Sequence, residues 1–225
     1  MLIKVGIVMK DEKNINQSCK EATVKYIIGL TGGIGTGKSM VLEHIKNEYN
    51  GFVIEADKIG HEIFEYNSET YNRVVEAFGT DILSISDDTP YIDRKKLGQI
   101  VFDHKEKLQL LNSITHPAIH NRIEELIDKC DQELIVIEAA ILPDTSLKYL
   151  CDTLWYVYAD KDIRISRLLK YRDIPREKAL KVMANQPDDE RFKNVCQVVI
   201  DNSYDKETTF KQIKEHLPGG SLWAK

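Results

Sequence analysis

A glycine-rich stretch near the start of the chain has the residue types and the spacing of a phosphate-binding loop. The sequence GGIGTGKS, residues 32–39, fits the pattern G-x-x-x-x-G-K-[ST]. Glycines let the backbone turn tightly, so that successive N–H groups point at phosphate oxygens, and a following helix adds its positive N-terminus. In such a loop Lys38 reaches the β- and γ-phosphates, and the Ser39 hydroxyl ligates Mg²⁺. We name residues 32–39 the phosphate loop and predict nucleotide contacts from Gly33, Gly35, Thr36, Gly37, Lys38, Ser39 and Met40.

Two acidic side chains follow apolar runs and are candidates for the chemistry beside the phosphate loop. Asp57 ends the predicted strand 51–57, at the edge of the sheet where ligands gather in open α/β folds. A carboxylate there can accept the proton of an acceptor hydroxyl, whereas an aspartate before a helix can also serve as its N-cap. Both interpretations of Asp57 stay open. Glu138 closes the run LIVIE and is a candidate for orienting Mg²⁺ or water.

Short apolar runs that alternate with longer periodic stretches predict the elements that position these residues. The runs LIVIEA and LWYVY are apolar at successive positions, which is typical of parallel strands covered by helices on both faces. We therefore expect an α/β fold with a mainly parallel five-stranded sheet flanked by helices. The predicted strands are 26–30, 51–57, 133–140, 153–160 and 196–201.

Two long segments between the predicted strands exceed what a simple crossover needs. Residues 58–130 are predicted to form a helical insertion, in which 84–93 is a loop and 119–130 an amphipathic helix that returns to the sheet. Residues 167–194 are charged and are predicted to form a helical lid over the site. The rest of residues 25–217 completes a single domain.

The composition restricts the class of partner. A net charge of −5, with 31 basic and 36 acidic residues interspersed, gives no positive field for nucleic acid. No window approaches the ~20 apolar residues of a membrane span, so neither nucleic acid nor membrane is expected as a partner. Four separated cysteines without a CxxC pair fit a reducing cytoplasm. We expect a monomer or a small homo-oligomer, with an N-terminal extension at 1–24 and a tail at 218–225.

The phosphate loop alone leaves the reaction open, because GTPases, ATPases and small-molecule kinases share it. The only D-x-x-G after the loop is DKIG, residues 57–60, and the guanine-reading sequence N-K-x-D is absent. These observations argue against a GTPase, and 225 residues leave little room for the coupling machinery of a motor. We therefore favour a kinase that uses ATP and Mg²⁺ to phosphorylate a small molecule.

Several further segments follow the loop GLTGGIGTGKS in a fixed order. They are VIEADKIGHEI (53–63), IDRKKLGQIVF (92–102), THPAI (115–119), RLLKYRDI (167–174) and QVVIDNS (197–203). Over about residues 25–217, this ordered set resembles the dephospho-coenzyme A kinases, which phosphorylate the ribose 3′-hydroxyl of dephospho-coenzyme A. The resemblance implies a P-loop kinase fold with ATP and dephospho-coenzyme A as substrates, an acceptor-binding insertion and a lid.

On the acceptor side, the resemblance implies that Asp57 is the catalytic base and that Thr31, Arg94 and His116 contact dephospho-coenzyme A. Other interpretations of the last two residues stay open. His116 can be a hydrogen-bonded structural histidine, and Arg94 an ordinary solvated charge.

On the nucleotide side, the resemblance places Asn202 at the border of the adenine pocket and brings Arg167 and Arg172 over the ATP, Arg167 as a catalytic residue. The planar guanidinium of arginine donates bidentately to phosphate and stacks on bases. Either arginine can also be a solvated surface charge, and Asn202 a plain turn residue.

The sequence also departs from the family pattern. Glu55 stands where the family has the first aspartate of D-A-D, and AAILPD (139–144) replaces a segment usually written P-L-L-x-E. These departures keep two other functions open. One is a kinase for a nucleoside or nucleotide, and the other is a nucleotide-binding regulator without activity.

Overall fold

Five parallel strands form the centre of the molecule. Their spatial order is β2 (Phe52–Glu55), β5 (Leu134–Glu138), β1 (Tyr26–Thr31), β6 (Thr153–Tyr158) and β7 (Val198–Asp201). The computed structural model describes residues 24–219. The predicted mainly parallel five-stranded sheet is confirmed, although β2 stops two residues before the predicted end because Ala56 begins a helix.

Helices cover both faces of the sheet because successive residues of the central strands are apolar. In β5, Ile135 and Ile137 belong to one buried cluster and Leu134 and Val136 to the other, since alternate side chains point to opposite faces. The α-helices are α1 (Lys38–Tyr49), α2 (Ala56–Glu62), α3 (Glu69–Phe78), α4 (Arg94–Phe102), α5 (Lys105–Lys129), α6 (Lys161–Arg172), α7 (Arg176–Ala184), α8 (Asp189–Val195) and α9 (Lys206–His216). Helices α2, α5 and α8 pack on the first face of the sheet, and α1 and α9 pack on the second.

The segment between β2 and β5 contains the predicted helices and a third apolar cluster of its own. That cluster joins α3, α4 and the first half of α5. The helix predicted at 119–130 is the second half of α5, which runs for 25 residues with Pro117 inside it.

The prediction of a loop at residues 84–93 is wrong. Strands β3 (Leu83–Ser86) and β4 (Thr89–Ile92) form an antiparallel hairpin. Asp87 and Asp88 link them with φ angles of 47° and 60°. Two successive positive φ values give the turn whose twist suits a two-residue hairpin, and aspartate tolerates this conformation.

The ends of the described chain leave part of the predicted organisation outside the structure. The proposed N-terminal extension, residues 1–24, lies outside the described residues except for Val24. The proposed tail, residues 218–225, lies outside them except for Pro218 and Gly219. Within residues 24–219, no helix is both long and apolar enough to cross a membrane.

Candidate active site

The phosphate loop connects the end of β1 to the start of α1 at the carboxyl edge of the sheet. Gly35 and Gly37 have φ angles of 79° and 94°, and Gly37 is the N-cap of α1. These left-handed conformations explain why glycine is required at both positions. The Thr36 hydroxyl donates a 2.9 Å hydrogen bond to the Gly33 carbonyl, which closes the turn. Thr36 is buried, so its side chain shapes the loop.

Two side chains from outside the loop, buried Asn202 and half-buried Arg167, hold the Thr36 carbonyl in place. Asn202, only 2% exposed, donates to that carbonyl over 2.7 Å and accepts a 2.9 Å bond from the Thr209 hydroxyl. Arg167 donates to the Thr36 carbonyl over 3.3 Å and to the Asn202 carbonyl over 2.8 Å. The two predicted nucleotide residues therefore also support the loop from α6 and from the segment after β7. Neither the solvated arginine nor the plain turn asparagine fits these contacts.

The Lys38 ammonium lies beside a buried carboxylate. Its Nζ donates a 2.7 Å bond to the Gly32 carbonyl and lies 3.5 Å from Oε1 of Glu138. Glu138 is 9% exposed, and this burial raises the pKa of its carboxyl group, with further increases from Asp57 and Glu55. Lys38 opposes the rise in that pKa. The charge of Lys38 thus offsets that of the buried Glu138 carboxylate.

A cavity of about 780 Å³ opens on the phosphate loop. Its wall contains every predicted nucleotide residue except Thr36, whose side chain is buried. Arg167 and Arg172 of α6 line the same cavity, as do the acids Glu55 and Glu138. The structure therefore brings the predicted phosphate-binding and arginine residues together around one space large enough for a nucleotide.

The predicted acceptor residues lie outside the wall of this cavity. Asp57 is exposed and is the second residue of α2, whose N-cap is Glu55. The alternative that Asp57 is an N-cap is therefore wrong. Thr31 ends β1, is buried, and its hydroxyl donates a 3.0 Å bond to the Ala140 carbonyl. Thr31 thus fixes the segment after β5, where this sequence departs from the family pattern.

Arg94 and His116 project from two different helices of the insertion. Arg94 is the exposed first residue of α4, and its Nη1 lies 2.7 Å from Nδ1 of His61. Since His61 belongs to α2, this contact joins Arg94 to the helix that carries Asp57. His116 is exposed on α5, and its ring makes no hydrogen bond or ion pair within the described part of the chain. The structural-histidine alternative therefore has no contact to support it.

The structure adds residues that sequence reasoning missed. Arg164, 4% exposed, donates from Nε to the Ile34 carbonyl over 2.9 Å, and Gln186 accepts a 2.9 Å bond from the Ile34 N–H. Asp189 and Tyr156 complete this group behind the loop. The one available sign was the spacing of Arg164 and Arg167, which places both on one face of α6.

The chemistry of the donor set fits Mg²⁺. The exposed Ser39 hydroxyl and the carboxylates of Glu55 and Glu138 all line the same cavity. Mg²⁺ prefers oxygen ligands and is usually held by a few protein oxygens together with substrate phosphates. Ser39 is the residue of this set that lies on the phosphate loop itself.

Comparisons with known proteins match most of the chain. The family model described as dephospho-CoA kinase matches residues 26–207. A curated dephospho-CoA kinase from Carboxydothermus hydrogenoformans is 38% identical over 191 residues, covering 83% of this chain and 90% of the relative. Another from Fusobacterium nucleatum is 37% identical over 189 residues, covering 84% of this chain and 95% of the relative.

Solved structures show the same fold. A crystal structure from Thermus thermophilus, 22% identical, superimposes with a TM-score of 0.72 over 85% of this chain and 96% of that one. Dephospho-CoA kinase from Campylobacter jejuni is 27% identical, with a TM-score of 0.54 over 85% of this chain and 97% of that one.

Proposed function

The chain belongs to the dephospho-CoA kinase family, and we propose that it transfers the γ-phosphoryl group of ATP to the ribose 3′-hydroxyl of dephospho-CoA. The products are CoA and ADP, and the reaction is the last step of CoA biosynthesis. The observation that carries this proposal is the single cavity lined by the phosphate loop with Lys38 and by Arg167 and Arg172 of α6.

On the nucleotide side, the N–H groups of the loop and the N-terminus of α1 bind the β- and γ-phosphates. Lys38 binds the oxygens of the transferring group, and Arg167 neutralises charge as it develops on them. The walls formed by Met40, Arg172 and Asn202 receive the rest of the ATP. Because the loop is held from behind, these groups need little rearrangement when ATP binds.

Ser39, with the acids beside it, would hold Mg²⁺. The ion, when bound, neutralises negative charge between the β- and γ-phosphates. Glu138 carries a buried carboxylate near this place, which supports a role in orienting Mg²⁺ or its water. The exposed Ser39 hydroxyl supports direct ligation.

On the acceptor side, Asp57 orients the 3′-hydroxyl and accepts its proton as the oxygen attacks phosphorus in line with the leaving ADP. Asp57 lies two residues after Glu55, which pairs with Glu138 in the sheet, and this register supports a position near the phosphate loop. Thr31, Arg94 and His116 contact dephospho-CoA. Residues 58–130 are the acceptor-binding insertion, and residues 25–217 are the kinase domain that contains it. Arg94 of α4 contacts His61 of α2, the helix that carries Asp57. This contact supports the proposal that α2 and α4 bind the same acceptor molecule.

Residues 167–194 act as a lid that closes over ATP and excludes water, so that hydrolysis does not compete. This segment covers the end of α6, the whole of α7 and most of α8, and its first helix supplies Arg167 and Arg172. Residues 1–24 and 218–225 are proposed as an N-terminal extension and a C-terminal tail appended to this domain.

We place the reaction in the cytoplasm, with ATP and dephospho-CoA as the partners and neither nucleic acid nor membrane among them. The net charge of −5 and the thiols of Cys130, Cys151 and Cys196 support this setting. The active species is a monomer or a small homo-oligomer.

Release of ADP in the presence of ATP and Mg²⁺, measured with a panel of acceptors, tests the proposed function. We expect ADP release with dephospho-CoA, matched mole for mole by a product heavier by one phosphoryl group. Nucleosides and nucleoside monophosphates should give only background release. Turnover confined to one of those acceptors would indicate a different kinase, and tight ATP binding without turnover on any acceptor would indicate a regulator.

A further inference from the structure

Two side chains from outside the phosphate loop hold both backbone groups of one loop residue. Gln186 Oε1 accepts a 2.9 Å hydrogen bond from the Ile34 N–H, and Arg164 Nε donates a 2.9 Å bond to the Ile34 carbonyl. Together they fix the two peptide planes that flank Ile34. The position of the first half of the loop therefore depends on these two side chains.

The two side chains also hold each other. Arg164 donates from Nη2 to Oε1 of Gln186 over 3.3 Å and from Nη1 to Asp189 over 3.3 Å. Asp189 in turn accepts a hydrogen bond from the Tyr156 hydroxyl of β6. Since Arg164 is 4% exposed, its guanidinium is a buried charge that these partners must satisfy. The Gln186 contact is therefore one end of a built network that starts in the sheet.

The glycine beside Ile34 is part of the same arrangement. A Cβ atom added to Gly33 would overlap the Arg164 guanidinium and lie 3.0 Å from Gln186 Oε1. Only glycine leaves room for both side chains to approach the backbone there. The loop sequence and the network are thus matched to each other.

Gln186 lies between α7 and α8, inside the segment proposed as the lid, and it also lines the nucleotide cavity. Its bond to Ile34 is a direct link between that segment and the phosphate loop. Arg164, by contrast, precedes the segment on α6. Movement of the part of this segment after α6, residues 173–189, away from the loop would break the Gln186 bond. It would also remove two partners of Arg164, whose own bond to Ile34 comes from α6.

We propose that Gln186 is a positioning residue that holds the phosphate loop in its nucleotide-binding shape and couples that shape to the closed position of residues 173–189. The inference rests on the proposed function and deepens it. Coupling of this kind is reciprocal: closure favours nucleotide binding, and bound nucleotide favours closure by the same factor. The oxygen of Gln186 faces two donors, so an acceptor atom at this position is what the coupling requires.

The variant Gln186→Leu removes that acceptor while keeping a side chain of similar size. One neutral hydrogen bond corresponds to a factor of about five, so ADP affinity should fall about five-fold. The KM for ATP should rise by a similar factor, with the KM for dephospho-CoA unchanged. Protection of residues 173–189 by ADP against trypsin, which can cut after Arg176, Lys178 and Lys181, should fall in parallel.

Gln197→Leu is the matched control. Gln197 also accepts a backbone bond, 2.7 Å from the Leu154 N–H, but away from the cavity. This variant should lose as much thermal stability as Gln186→Leu and keep the ADP affinity and the protection of the parent. Gln186→Glu retains an acceptor oxygen and should restore most of the protection by ADP.

Equal ADP affinity and equal protection in Gln186→Leu and the parent would overturn the proposal, as would equal losses in Gln197→Leu. If Gln186→Leu does not fold, Gln186→Ser carries the same expectations. ADP binding and trypsin protection need no acceptor substrate. Failure of the proposed function would therefore appear as absent turnover with these two measurements intact, and failure of the coupling as the opposite pattern.

Discussion

The nucleotide side and the acceptor side of the candidate site are built in different ways. On the nucleotide side, buried and half-buried side chains from α6, from the segment after β7 and from the turn before α8 bind the backbone of the phosphate loop. On the acceptor side, Asp57, Arg94 and His116 are exposed on three different helices. The contrast supports a preorganised phosphate site, and we expect the proposed acceptor site to reach its working geometry when the substrate binds.

Arg94 also rests on a different part of the core from the phosphate loop. The loop follows β1, the central strand of the sheet, whose Ile28 and Leu30 are fully buried. Arg94 begins α4, which packs in a separate apolar cluster with α3 and α5. We therefore expect a substitution of Arg94 to act mainly through binding of the acceptor. Substitutions of Lys38 and Asp57, which are proposed to act on the transferring phosphoryl group and on the attacking hydroxyl, should reduce the chemical step.

The largest expected effect is that of Lys38→Ala. This change removes the charge that binds the transferring phosphoryl group, so kcat with dephospho-CoA should fall at least ~10²-fold. Steady-state kinetics with saturating ATP measures the loss. Lys46→Ala, an exposed lysine in the last turn of the same helix, is the control and should retain the parent rate. An undiminished rate in Lys38→Ala would remove the loop from the mechanism.

The same variant tests the electrostatic balance inside the site. Burial raises the pKa of Glu138, so the folded state holds its proton more tightly than the unfolded state does. The charged form costs stability, and this cost grows as pH rises through the pKa of the folded state. Without Lys38 the cost should be greater, so the difference in Tm between parent and variant should widen with pH and shrink in acid. Lys38→Ala combined with Glu138→Gln should recover the Tm and leave the rate low.

The second effect in size is that of Asp57→Asn. The amide keeps the shape of the side chain but does not accept a proton, so kcat with dephospho-CoA should fall roughly 10²-fold. Because Asp57 is exposed and is not the N-cap of α2, the free energy of unfolding should change little. ATP affinity, measured by calorimetry, should also be retained. Glu62→Gln, an exposed acid at the end of α2, is the control.

A parent rate in a folded Asp57→Asn variant that still binds ATP would exclude the residue as the base. In that case the acceptor hydroxyl would be activated by position alone, since the proton can leave late in phosphoryl transfer. A loss of ATP affinity in this variant would instead break the separation between the two sides.

The same contrast decides how much could be predicted from sequence. The phosphate loop was predictable because its chemistry is contiguous: glycines, Lys38 and Ser39 follow one strand and begin one helix. The strands were predictable because LIVI and LWYVY are apolar at every position, as buried parallel strands require. In each case the information lies within a few residues of the feature.

What escaped prediction depends on contacts between distant segments. Gln186 lies 152 positions from Ile34, and no local pattern marks a glutamine that accepts a backbone N–H across the fold. The hairpin at 83–92 was missed because Asp87 and Asp88 supply the positive φ angles for which glycine or asparagine is the usual sign. The supporting role of Asn202 was missed because its partner Thr36 is 166 positions away in the sequence.

The smallest expected effect, and the one that most sharpens the contrast, is that of Arg94→Ala. The residue is exposed and contacts His61, so its loss should leave Tm and the KM for ATP unchanged. If the guanidinium binds an anionic group of dephospho-CoA, the KM for that substrate should rise about ten-fold, the size of one charge-assisted hydrogen bond. Lys95→Ala removes the neighbouring exposed charge on α4 and should leave all three quantities at parent values. An unchanged KM for dephospho-CoA would make Arg94 an ordinary solvated charge, whereas a fall in kcat at saturating acceptor would show that the insertion contributes to the chemical step as well as to binding.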